Sequence, residues 1–150
     1  MLTVTDNYKH NTIASFFVPG TPAGQGSKRS VGNNQFIESS KHTMPWRHTI
    51  AATAGQYITA PSDKALIISC TFYFPRPKVH YTSKGILKAT APRFKVTDPD
   101  LDKLLRAVGD ALSRGLAYFD DNQIIHWDTW KLYCDRNEQP GLRITLIEIT

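Results

Sequence analysis

The chain predicts an α+β, two-layer domain: a mixed β-sheet of about four to five strands with two main helices on one face. Three observations carry that expectation. The run Ala65–Phe74 carries apolar residues on both alternating faces, as a strand inside a sheet must. Two segments, 45–60 and 101–114, repeat apolar residues at steps of three and four, the period of a helix with one buried side. Near the C-terminus, two further strand-like runs are separated by the turn sequence Asn137-Glu-Gln-Pro-Gly141.

The elements follow in order. Residues 1–12 are polar and predict a flexible N-terminal tail without the apolar centre of a signal peptide. Ile13-Ala-Ser-Phe-Phe-Val18 is a short strand closed by Pro19-Gly20. The Gly-rich, basic stretch 21–29 lacks the spacing of a nucleotide-phosphate loop, so it is read as a connector and no nucleotide cofactor is expected. A short strand at 35–38 precedes the first helix, in which Pro45 suits a first helical position and Trp46, Ile50, Ala54 and Tyr57 form the inward stripe.

After the strand Ala65–Phe74 comes a long connection, 75–97, with six Lys and Arg and no Asp or Glu. Connections of this length are functional or mobile, and cations interleaved with aromatics can grip a phosphate backbone and stack on bases. The second helix starts at a Pro/Asp-rich boundary and stops at Gly115, with Leu101, Leu104, Leu105, Val108 and Leu112 facing inward. Asp98 is the candidate for the N-cap or else a solvated neighbour, Asp100 lies just before the first full turn and Asp102 at its entrance. Residues 124–133 and 142–149 are expected to pair as a hairpin.

Composition bounds the function. The 150 residues, 41% hydrophobic and 21% charged, suit one domain spanning 1–150 with a proper core. No apolar stretch reaches membrane-spanning length, so no membrane partner is expected. The two cysteines, Cys70 and Cys134, fit neither a disulfide scaffold nor a zinc pattern, and the chain reads as cytoplasmic. Charge is unevenly distributed: twelve Lys and Arg against three Asp and Glu through Thr97, then six against ten, or +9 followed by −4 within a total of +5. A basic body around a local acidic pocket suits a metal-dependent enzyme acting on nucleic acid.

The acidic pocket is expected from two windows, Asp98-Pro-Asp100-Leu-Asp102 and Asp120-Asp121. Capping explains one aspartate at a helix start; three within five residues repel one another unless a cation compensates. Hard divalent cations take such oxygen ligands, and Asp102, Arg106 and Asp110 fall four apart as a polar stripe beside the apolar one.

The block Asp100-Leu-Asp102-Lys-Leu-Leu-Arg106-Ala-Val-Gly-Asp110-Ala-Leu, followed by Phe119-Asp120-Asp121-Asn-Gln123-Ile, resembles the signature of the RusA-type Holliday junction resolvases common in phages and prophages. The Gly-Ser-Lys-Arg segment, the entry Pro45-Trp46-Arg47 and the stretch from Tyr73 to Arg93 extend the resemblance over most of residues 13–149. It implies a homodimeric, Mg²⁺-dependent endodeoxyribonuclease, with Mn²⁺ as a substitute, making paired cuts in four-way DNA junctions during recombination and repair. Asp100, Asp102 and Asp121 then stand at the metal-binding, catalytic positions. Arg106 stabilises charge in the transition state, Asp120 supports the ligands, and Asp110 orients Arg106 through a four-residue salt bridge. The pattern carries Asn where this chain has Lys103 and Lys where it has Arg106. Expected DNA contacts are Lys28, Arg29, Arg76, Lys78, Lys84, Lys88, Arg93, Lys95, Lys103 and Lys131. The competing readings are a branched-DNA-binding dimer that does not cut, and a broader nuclease acting on forks and flaps.

Overall fold

The computed structural model describes residues 6–26, 28–32, 35–38, 41–115 and 117–150, with the side chains of 28–31 and 35–38 outside that description. Its strands are β1 (His10–Pro19), β2 (Lys28–Gly32), β3 (Gln35–Glu38), β4 (Ala65–Phe74), β5 (Ile124–Tyr133) and β6 (Gly141–Ile149), and its helices α1 (Thr43–Tyr57) and α2 (Leu101–Arg114). Four strands form a mixed sheet in the order β1-β6-β4-β5, and β2 and β3 form a separate antiparallel ribbon. This is the α+β arrangement expected, with the connector 21–29 ending in a strand.

β5 and β6 do not form a hairpin. β4 lies between them, parallel to β5 and antiparallel to β6. β4 is the strand that is apolar on both faces, so the interior of the sheet is where its burial removes most apolar surface from water. The connection 134–140 is long enough to step across one intervening strand, about 10 Å. β1 also starts before its apolar run: residues 10–12, expected in the tail, pair with Ile149, Glu148 and Ile147. Lys9 and Thr150 exchange both backbone hydrogen bonds at 2.7 and 3.0 Å. Such pairing is a long-range event that local hydropathy does not register.

α1 buries Trp46, Ile50 and Ala54 as its spacing predicts, while Tyr57 is 54% exposed and stacks on Phe16 with ring centroids 5.3 Å apart. His42 stands at the N-cap position without a side-chain capping bond, and the helix ends at Tyr57, where Ile58 turns extended. Pro61 disfavours helical geometry in the residue before it, so the helix cannot continue to Ala60. α2 buries Leu104, Val108 and Leu112, but Leu101 stays at the surface. Gly115 ends α2 where the helices meet: a Cβ there would sit 3.3 Å from the carbonyl oxygens of both Ala51 and Ala111.

Both helices pack on the sheet face formed by Phe16, Val18, Leu66, Ile68, Phe72, Leu142, Ile144 and Leu146, making one continuous core. The result for the site is geometric: the start of α2 and the start of β5 are two ends fixed on one rigid layer pair. Among the described residues no helix is long and apolar enough to cross a membrane.

Candidate active site

Asp100, not Asp98, is the N-cap residue of α2. Its backbone is extended (φ −63°, ψ 146°), yet its carboxylate makes no capping hydrogen bond. It is exposed and stands 3.8 Å from the Lys103 amino group. Asp102 follows in the first turn, where a negative charge complements the helix dipole, and is also exposed.

The second acidic window is built by a single-turn helix, Asp121–Gln123, ahead of β5. Asp120 caps it, accepting from the Asn122 N–H at 2.8 Å, while the Gln123 side-chain oxygen accepts from the Phe119 and Asp120 N–H groups, each at 2.9 Å. The Gln123 amide nitrogen donates to the carbonyls of Ser62 and Lys64 at 2.8 and 2.9 Å, tying the turn to the start of β4. Asp120 is thus engaged in holding the turn, and Asp121 is the carboxylate the turn presents.

Asp102, Arg106, Asp110 and Asp121 line one open pocket of about 410 Å³, with Ile124 and Trp127 of β5 as its apolar side. Asp100 is not part of that lining. The Tyr118 hydroxyl sits behind the pocket and donates to the Gly109 carbonyl at 2.7 Å. Burial, and then the Asp121 carboxylate beside it, push the phenol pKa up, so Tyr118 stays protonated and serves as a donor. A larger cavity of about 600 Å³ lies around Trp46 and Pro99. Its walls are mainly Pro, Gly, Ala and Trp, and the carboxylate cluster belongs to the smaller pocket.

Among the described residues, no three His, Cys, Asp or Glu side chains stand close enough together to hold an ion as they are placed. The donor chemistry nonetheless suits a hard divalent cation: three carboxylates line the pocket and a fourth sits at the adjoining N-cap. Among the described residues Asp102 and Asp121 form no ion pair, and Asp121 lies beside the Tyr118 hydroxyl.

The expected helical salt bridge between Arg106 and Asp110 is absent among the described residues. Asp110 instead accepts from the Gln25 amide nitrogen at 2.5 Å, and the Gln25 main-chain N–H donates to the Lys103 carbonyl at 2.9 Å. Residues 24–26 of the stretch 21–29, read as a connector, therefore run along α2 beside the site. Their glycines were the available signal, because only a chain without Cβ can lie this close to a helix: a Cβ on Gly24 would be 3.1 Å from that of Lys103.

The long 75–97 connection is ordered by its own cations. Arg76, its side chain only 3% exposed, donates to the Cys134 and Pro92 carbonyls at 2.7 and 2.6 Å. Arg93 pairs with Glu138 and Asp135 and donates to the Tyr133 carbonyl. The hydrogen bond between Arg93 and Glu138 raises the Arg93 pKa and lowers that of Glu138. Lys95 donates to the Thr97 hydroxyl and lies over the rings of Phe74 and Tyr133. Lys131 donates to the carbonyls of Thr97 and Pro99 at 2.7 and 2.6 Å, immediately before Asp100, and burial lowers its pKa.

Of the expected DNA contacts, Arg76, Arg93, Lys95 and Lys131 are therefore held within the protein. Lys78, Lys84 and Lys88 are exposed and form no ion pair among the described residues, and Lys103 is half-buried beside Asp100. The side chains of Lys28 and Arg29 lie outside the described residues. Phe94 and Trp130 are each more than half exposed, with ring centroids 6.1 Å apart. Phe94 and Trp130 come from different elements, so sequence periodicity could not pair them.

No curated protein matches the chain. A family model, endodeoxyribonuclease RusA, matches residues 19–147, a span that contains both acidic windows, both helices, β4, β5 and β6 as far as Ile147, but only the last residue of β1. Nucleases of this family act on DNA junctions and depend on a divalent metal. By that match the chain belongs to the RusA endodeoxyribonuclease family.

Proposed function

We propose that the protein is a homodimeric, Mg²⁺-dependent nuclease that resolves four-way DNA junctions by paired phosphodiester cleavage. The observation supporting this most directly is that Asp102 on α2 and Asp121 before β5 face one pocket together with Arg106. Asp102 and Asp121, joined by Asp100 from the N-cap, are the residues that would hold the ion, with Mn²⁺ as the substitute. When bound, a divalent cation polarises a phosphoryl oxygen and lowers the pKa of an attacking water.

The chain's own groups do the rest. Arg106 offers a planar fork that binds phosphate oxygens and counters the charge gained in the transition state. It cannot donate its proton at neutral pH, so it acts as an electrostatic clamp and not as an acid. Asp120 and Gln123 fix the turn carrying Asp121, and Lys131 fixes the chain entering Asp100. Exposed Lys78, Lys84 and Lys88 provide attraction to the DNA backbone. A twofold dimer would set equivalent pockets on opposing strands of a junction, which allows both cuts in one encounter.

The test uses a synthetic four-way junction and linear duplex, each incubated with Mg²⁺, Mn²⁺ or EDTA. Symmetric nicks on the junction alone, lost in EDTA, are expected. Cuts on forks and flaps as readily as on junctions would replace resolution with a broader branched-DNA nuclease. A mobility shift without cleavage in either metal would leave a binding protein.

A further inference from the structure

We infer that Gln25 is a positioning residue that holds Asp110 away from Arg106, so that the Arg106 guanidinium remains available to a DNA phosphate. The inference rests on the nuclease reading above for the phosphate, but the separation of the two charges is a property of the free protein. Arg106 and Asp110 are four residues apart on α2, the spacing at which opposite charges on a helix ordinarily meet. Arginine preceding the acid is the weaker order of that pair, which makes it easier for a third group to compete.

Gln25 is that group. Its amide nitrogen donates to Asp110 Oδ2. A carboxylate only accepts, so the NH₂ end of the amide must face Asp110, and Gln25 Oε1 is left buried without a partner among the described residues. An orphaned buried acceptor is unfavourable, and here it accompanies a bond that keeps Asp110 occupied. The loop is registered on α2 by two further contacts, the Gln25 N–H to the Lys103 carbonyl and the close approach of Gly24 to Pro99 and Lys103.

Gly26 completes the device. At φ +113° it adopts a conformation that residues with a side chain rarely take, and a Cβ there would lie 2.6 Å from Arg106 Nη1. The guanidinium thus rests over bare backbone while its natural helical partner is held by the residue before. Among the described residues Arg106 has no ion pair, although it shares a pocket with three carboxylates.

The experiment measures four-way junction binding in EDTA as a function of salt, which removes cleavage and any metal contribution from the readout. Arg106→Ala should lower the log–log salt slope by about 0.9, the loss of one phosphate contact. Gln25→Met, which keeps the side-chain length, should lower the slope by the same amount and weaken binding several-fold. Measured against Asp110→Asn alone, Gln25→Met should then cost nothing further in slope or affinity, since the captured arginine is released; a merely structural role for Gln25 predicts the same loss in the Asp110→Asn background as in the wild type. Unchanged binding in Gln25→Met, or the same loss in the Asp110→Asn background, overturns the inference.

A second measurement stands without DNA. In the free protein the Arg106 Nε–Hε resonance should ignore Asp110→Asn in the wild-type background and shift with it in the Gln25→Met background, or in Gln25→Ala if the first variant does not fold. No shift in that background overturns the separation. A wild-type protein that neither binds nor cuts junctions overturns the nuclease reading alone, and the resonance still decides the role of Gln25.

Discussion

Asp120 and Gln123 cap each other across the turn that carries Asp121: the Asp120 amide N–H donates to Gln123 Oε1 at 2.9 Å, and the Asp120 carboxylate occupies the N-terminus of the same single-turn helix. Asp121, between the two caps, is the one carboxylate of this window that faces the pocket. Gln123 also ties the turn to Ser62 and Lys64, so one side chain links the second acidic window to the sheet.

Replacing Gln123 by Ala should therefore affect chemistry more than stability. Loss of the cap costs about 1 kcal/mol in urea unfolding. Nicking should fall by roughly tenfold to a hundredfold, because small misplacements of a catalytic group are expensive in rate. Full cleavage by a variant that has lost that stability would show that Asp121 needs no such support.

Asp102→Asn and Asp121→Asn should each reduce junction nicking by more than about a hundredfold, beyond what loss of a merely supporting residue does. Junction binding in gel shift should be at least as tight as in the wild type, since a negative charge near phosphate has been removed. Weakened binding in step with weakened cutting would assign these aspartates to folding or DNA contact.

The cations divide into two groups with separable signatures. Lys84→Ala and Lys88→Ala should each lower the salt slope of junction binding by about 0.9. Lys131→Met should leave that slope unchanged, because its amino group is engaged with the Thr97 and Pro99 carbonyls, and should destabilise the protein by about 1–3 kcal/mol by orphaning them. A reduced slope in Lys131→Met would return Lys131 to the DNA-contacting set.

His80 makes the 75–97 connection sensitive to acid. Its ring nitrogen Nδ1 lies 3.2 Å from Arg76 Nη1 and must accept, which requires the neutral imidazole. Burial, then the charges of Arg76, Lys88 and Lys95, lower its pKa from the ordinary 6.5. The folded state thus resists a proton that the unfolded chain accepts. Its stability contribution is complete above pH 6.5 and is lost as pH falls below that value toward the depressed folded pKa. Urea unfolding at about pH 7.5 and pH 5.5 should show this loss in the wild type, and His80→Asn should shed the His80 share of it. An identical fall in that variant would place the acid sensitivity elsewhere.

Several features were legible because they are local. The apolar stripes of α1 and α2 repeat at the helical period, β4 alternates with apolar residues on both faces, and the aspartates of each window are neighbours in the chain. The mistaken readings share one cause. Pairing 124–133 with 142–149 assumed that strands adjacent in sequence are adjacent in space, and the Arg106–Asp110 bridge assumed that helix neighbours choose each other. In both cases a partner from far along the chain, β4 or Gln25, took the place.

The amino-acid sequence alone determined where the helices and the central strand run and which carboxylates stand together along the chain, because periodicity, capping and covalent spacing act over a few residues. Which cations are withdrawn to staple the 75–97 connection, which strand stands at the centre of the sheet, and which partner Asp110 takes were decided only by tertiary structure. Those outcomes are competitions among groups distant in the chain, settled by burial and by the requirement that buried carbonyls and carboxylates find donors.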